Sequence, residues 1–182
     1  LDTYRIEPSK KTLLLIDSII KDSEKHFKTE KTLIDTSPFF GGATHLAWCA
    51  ADALIIPVRV DQASIEALQL TLEMLDKAEM DFHRFNRQAD LKKVPKVHAI
   101  AMTHCGWNRQ KKNTPDSTTQ FFIEKALEIS KKFSYLFSEK DVSECFYLLD
   151  DFHATGRISG NRRIPISELK PQSEYVVDGK RM

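Results

Sequence analysis

The chain has 182 residues, 41% of them hydrophobic and 29% charged, with 27 Lys and Arg against 26 Asp and Glu. That composition excludes disorder, collagen and a coiled-coil rod, and the length fits one domain, taken as 1–182. A net charge of +1 points to no partner on average, so any nucleic-acid or membrane surface must come from local clustering. Cys49, Cys105 and Cys145 form no CxxC pair, which fits a reduced, cytoplasmic setting. No stretch nears the roughly 20 apolar residues of a membrane span, and no membrane partner is expected. The sequence opens on Leu1 rather than Met, and the expectation is a portion of a longer protein.

The first helix is expected after Pro8-Ser9, with Leu13, Ile16 and Ile20 at helical spacing, running into a solvated stretch from Lys21 to Lys31. Thr32-Leu33-Ile34 reads as a short strand ending in Asp35, followed by a turn from Thr36 to Gly42 and an apolar helix from Thr44 to Ala51. Ala53 to Val58 reads as a strand buried on both faces, because its apolar residues are continuous. Gln62 to Met80 is an amphipathic helix with Ile65, Leu68, Leu72 and Leu75 along one side. Asp81 to Lys96 is polar and irregular. Val97 to Thr103 is the next buried strand, and a polar loop from His104 to Pro115 leads to a helix over Ser117–Lys132 with Phe121, Phe122 and Leu127 inside. Cys145 to Leu149 is the last strand, before a basic tail with one short helix near Ser167 to Leu169. Strands alternating with helices of crossover length predict a three-layer α/β fold, its sheet mainly parallel with helices on both faces.

Open parallel sheets bind ligands at the carboxyl ends of their strands. A carboxylate such as Asp35 at the end of an apolar strand either faces a cation, as Mg²⁺ does in nucleotide hydrolases, or caps the following turn. Gly41-Gly42 forms a turn that lets backbone amides approach a phosphate. Other chemistries find less support. A receiver domain needs a lysine at the end of a later strand, and Val97 to Thr103 ends without one. His104-Cys105 is the one adjacent His/Cys pair, with no second pair to complete a zinc site. There is no G-x-S-x-G elbow, and Cys49, in an apolar helix, reads as a core residue.

The ordered set Asp35-Thr36-x-Pro38, Gly41-Gly42, Ala50-Ala51-Asp52, Ile55-Ile56-Pro57-Val58 and Ser64-Ile65-Glu66-Ala67-Leu68 resembles the ParA/MinD family of deviant-Walker ATPases. The resemblance is strongest over Lys31 to Leu75 and continues to Ile166, where Arg157 to Ile166 is similar to the family's closing basic segment. The ParA branch, which partitions plasmids and chromosomes, is the nearer one. The resemblance implies that Asp35 reaches Mg²⁺ through water, and that Thr36, Pro38, Gly41 and Gly42 belong to the segment sensing the γ-phosphate. It puts Thr103, His104 and Asp150 on the base side of the nucleotide.

Two departures stand out. The six glycines include no G-x-x-x-x-G-K-[ST] phosphate loop, and Leu149-Asp150-Asp151 stands where the family usually has Ile-Pro-Arg. No catalytic residue is therefore assigned within this chain, and no cofactor is expected tightly bound to it. Mg²⁺ and ATP belong to an intact parent, which the resemblance implies forms an ATP-bridged homodimer that binds nonspecific DNA and meets a centromere-binding, ParB-like partner. Three basic clusters are candidates for DNA: Arg84, Arg87, Lys92, Lys93 and Lys96; Arg109, Lys111 and Lys112; and Arg157, Arg162 and Arg163. Of these, Lys92, Lys93, Arg157, Arg162 and Arg163 are singled out. The alternative reading is a non-catalytic DNA- or protein-binding module with the same fold.

Overall fold

The computed structural model describes residues 3–37, 40–108, 110–111, 113–170, 175–177 and 180–181. The chain opens with two helices, α1 (Thr3–Leu13) and α2 (Leu15–Phe27), then α3 (Gly42–Ala50). From there strands and helices alternate: β1 (Ala53–Arg59), α4 (Gln62–Asp76), α5 (Asp81–Gln88), β2 (Lys96–Cys105), α6 (Ser117–Lys132), β3 (Phe146–Asp150) and α7 (His153–Arg162). A short antiparallel pair, β4 (Val176–Val177) and β5 (Lys180–Arg181), follows.

The α/β class follows from the sheet: β1, β2 and β3 lie in that order, every pair parallel, flanked by helices as a three-layer α/β fold requires. Ile56 sits beside Ile100, and Ile100 beside Phe146. Val58 and Met102 are likewise neighbours, so one continuous apolar face meets Leu68, Leu72 and Leu75 of α4. Asp61 starts α4 by accepting a hydrogen bond from the Ser64 amide at 2.8 Å, and Asp116 starts α6 through the Thr119 amide at the same distance. Each cap satisfies one of the amides that a helix start leaves unpaired. All three cysteines are free and buried, Cys49 in the core as its apolar helix implied. Among the described residues no helix is long and apolar enough to cross a membrane.

Several expectations need correction. Pro8-Ser9 does not cap a helix: α1 begins at Thr3 and packs on α3 and α5, and the break falls at Leu14 instead. Thr32-Leu33-Ile34 has no regular secondary structure, and Leu33 is 88% exposed. A strand needs a neighbour to accept its ladder bonds, and among the described residues nothing pairs with this segment. β1 is not buried on both faces: Leu54, Ile56 and Val58 turn inward while Ile55 is 62% exposed. Half of the polar stretch after Met80 is helical, because Phe82 and Asn86 anchor α5 in the core. Phe121 lies on the solvent side of α6 with the Lys125 ammonium 4.5 Å above its ring. The tail contains α7, which the low apolar content of His153 to Arg162 concealed.

Candidate functional site

Sequence reasoning looked to the carboxyl edge of the sheet, and that is where the polar side chains gather. β1 ends on Arg59, whose Nε lies 3.5 Å from the Asp61 carboxylate. The Val60 amide donates to the Thr103 carbonyl at 3.2 Å, which ties the end of β1 to that of β2. His104 is exposed, has a left-handed backbone (φ 60°), and its Nδ1 stands 3.3 Å from Thr103 Oγ1. Beyond it, Trp107 Nε1 donates to Asp150 Oδ1 at 3.1 Å, joining the loop after β2 to the end of β3. Asp151 accepts from the His153 amide at 3.0 Å, with the His153 ring 3.2 Å away.

The electrostatics make this one neighbourhood. The Ser64 hydrogen bonds hold the Asp61 carboxyl below its ordinary pKa, with Arg59 and His104 adding to the effect. Asp151 is lowered first by the His153 amide, then by the fields of His153, His104 and Arg59. Carboxylates kept ionised at a sheet mouth can accept N–H and O–H groups of a bound polar ring or sugar, and Arg59 can balance an anion. Thr103, His104 and Asp150 are thus brought together as a set. Arg59, Asp61, Trp107 and Asp151 join them. The signal for these four lay in the sequence, since each sits within two residues of a strand end.

No family model, curated protein or solved structure matches this chain.

The other proposed nucleotide residues lie elsewhere. Asp35 and Thr36 are exposed on the unpaired segment, so Asp35 does not stand at the end of a strand. Pro38 lies outside the described residues. The segment is tied to α3 by Thr44 Oγ1, which donates to the Ser37 carbonyl at 3.3 Å. Gly41 and Gly42 open α3 in ordinary backbone conformations, and a Cβ at either would meet nothing within 4 Å. Gly41, at the cap position, supplies no side-chain hydrogen bond to this helix start. Among the described residues no group of three or more His, Cys, Asp or Glu is arranged to hold a metal. One exposed carboxylate and one helix start do not by themselves make a site for magnesium and a triphosphate, so the residues present do not fit that group unaided.

The basic clusters separate sharply. Arg84 pairs with Asp81 at 2.8 Å, Arg87 donates to the Ala78 carbonyl at 2.6 Å, and Lys96 donates to the Tyr135 carbonyl. Lys93 pairs with Asp52 at 2.7 Å and reaches the Ala50 carbonyl at 3.2 Å, closing the C-terminal end of α3. Of that cluster only Lys92 is exposed with neither an ion pair nor a side-chain hydrogen bond among the described residues. Arg109 and Lys112 lie outside the described residues. Arg157, Arg162 and Arg163 are all exposed on or just after α7, none of them ion-paired among the described residues.

Gly106 sets the spacing of the β2 loop. A Cβ there would lie 2.1 Å from Asp116 Oδ2 and 2.9 Å from its Cγ. Asp116 is a short side chain already fixed on the Thr119 amide, so Gly106→Ala is expected to displace the α6 cap and destabilise the protein by about 2–4 kcal/mol. Urea titration checks this, and the double variant with Asp116→Ala provides the control. If Gly106→Ala costs as much in the Asp116→Ala background, the clash is not the cause.

Proposed function

We propose that this chain is the C-terminal major part of a ParA-like partition ATPase. What supports the reading is the ordered motif set from Asp35 to Leu68, together with the meeting of Thr103, His104 and Asp150 at the carboxyl edge of a parallel sheet. In this reading that edge faces the base and sugar of ATP, with Trp107, Asp61 and Arg59 as further lining. Asp35 is the magnesium-side acid, and Thr36 to Gly42 is the segment that senses the γ-phosphate. The phosphate loop comes from residues outside Leu1–Met182. The nucleotide-bound parent is a homodimer on nonspecific DNA, released through a centromere-binding partner. A non-catalytic binding module on the same fold is the second reading, and the exposure of Asp35 away from any strand favours it.

Turnover separates the two. This chain alone is expected to release no phosphate from ATP above a no-protein control with Mg²⁺ present. Joined to an upstream segment carrying the phosphate loop, it should turn over ATP, and Asp35→Ala should abolish that turnover. Because Asp35 is exposed, its removal should change stability by no more than about 0.5 kcal/mol. Melting temperature and phosphate release are measured on the same sample. No phosphate release from the joined parent would leave the binding-module reading standing, and full turnover in the Asp35→Ala parent would remove Asp35 from the magnesium site.

A further inference from the structure

His45 lies in the first turn of α3, yet its side chain is only 3% exposed. Neither Nδ1 nor Nε2 has a hydrogen-bond partner among the described residues. The ring is enclosed by Phe85 at 5.6 Å, Trp48 at 6.1 Å and Phe82 at 6.2 Å between centroids. A neutral imidazole in such a place gives up water at both nitrogens and regains nothing, which already weakens the packing of α3. An imidazolium is far less tolerable there, since a charge and two donors would be buried together. Cation–π attraction to the enclosing rings, worth about 2 kcal/mol when desolvated, is small beside the hydration that a buried charge gives up.

We propose that His45 is a proton-operated latch: neutral, it holds α3 in the aromatic pocket against α5, and protonated, it leaves the pocket and releases α3. The Thr36–Ser37 segment is coupled to it, because the Thr44 hydroxyl beside His45 donates to the Ser37 carbonyl. Neither statement depends on the nucleotide reading.

The charged surroundings fit. Charged or titratable side chains on the packed elements include Asp81, His83 and Arg84 on α5, Glu7, Lys10 and Lys11 on α1, and Asp17 and Lys21 on α2. Among the described residues Asp81 alone exerts a field on the ring, and its carboxylate is shared with Arg84. Burial therefore dominates and pushes the imidazole below its ordinary value. A base that binds its proton more weakly when folded stabilises the closed form fully above the unfolded value, about 6.5, and loses that contribution as pH falls below it. Opening should grow about tenfold per pH unit in that range, levelling off at the folded value.

Trp48 reports on the latch directly. With Trp107→Phe in the background, Trp48 is the only tryptophan, since the chain has two. Its emission should move to the red as pH falls from about 7 to about 5, while most of the helical circular dichroism persists. His45→Phe and His45→Leu should remove the shift, and His83→Gln, the neighbouring histidine on α5, should leave it. A shift that survives both His45 substitutions, or none at all in the parent, overturns the proposal. Should both variants fail to fold, nitrogen-15 titration of the His45 ring decides: protonation at or above the ordinary value, with α3 still docked, overturns it equally.

Discussion

Phe82→Ala is expected to cost about 3–5 kcal/mol, the usual penalty for truncating a fully buried phenylalanine. Phe82 has 0% exposure and packs edge-on to Trp48 at 5.5 Å, as well as against His45 and His83. With Phe85 it is one of two α5 rings that reach α3, and the one that meets both His45 and Trp48, so the cavity would open between the two helices. Beside it Phe85 meets His45 at 5.6 Å, and Cys49 Sγ donates to Asn86 Oδ1 at 3.3 Å, a weak thiol bond. A domain with roughly 5–15 kcal/mol of total stability would lose about a fifth or more of it. The urea midpoint should fall with an unchanged slope, whereas Phe121→Ala, half exposed on α6, should move it by under about 1 kcal/mol. A Phe82→Ala loss below about 1.5 kcal/mol would mean that α3 and α5 close over the gap, and that the aromatic pocket around His45 is not rigid.

The sheet was legible where period and length agreed. Val97 to Thr103 and Cys145 to Leu149 are apolar runs bounded by polar loops, and they became β2 and β3 within two residues. The segment Thr32 to Ile34 has the same character and is no strand, because strand formation is a property of pairs and nothing among the described residues pairs with it. Nothing in three apolar residues encodes that. Ile55 was misjudged for a related reason: a continuous apolar run states that both faces tolerate burial, not that both are covered. α5 was missed because its mean character is polar, and two side chains, Phe82 and Asn86, fix it. At the site, asking what each strand ends on singles out Asp35, while Thr103, His104 and Asp150 follow from the family resemblance. The same question put to the strand ending at Arg59 finds Arg59 and Asp61. His45 could not be found this way, since a histidine in an apolar helix announces neither its neighbours nor its idle nitrogens.

Salt-sensitive, sequence-indifferent DNA binding is expected of the nucleotide-bound parent, and the structure redistributes where it should come from. Each Lys or Arg contact with phosphate releases condensed counterions, so log K falls linearly with log salt by about 0.9 per contact. Two or three free cations per protomer give a dimer a slope of about −4 to −5. Arg157, Arg162 and Arg163 are exposed and free of carboxylate partners among the described residues, and the left-handed cap at Arg163 ends α7 with the last two side by side. Removing Arg162 and Arg163 together strips four contacts from a dimer and should flatten the slope by about 3.6. The Lys92 and Lys93 pair should do less, because Lys93 is engaged by Asp52 and the Ala50 carbonyl. Its removal should instead lower stability by up to about 1 kcal/mol, as for an exposed ion pair. Both double variants are compared by salt titration on two duplexes of unrelated sequence, with melting temperatures taken alongside. Equal flattening by the two pairs would mean that Lys93 leaves Asp52 on binding. Unchanged slopes in both would remove DNA from the proposed function while leaving the ATPase part to its own test.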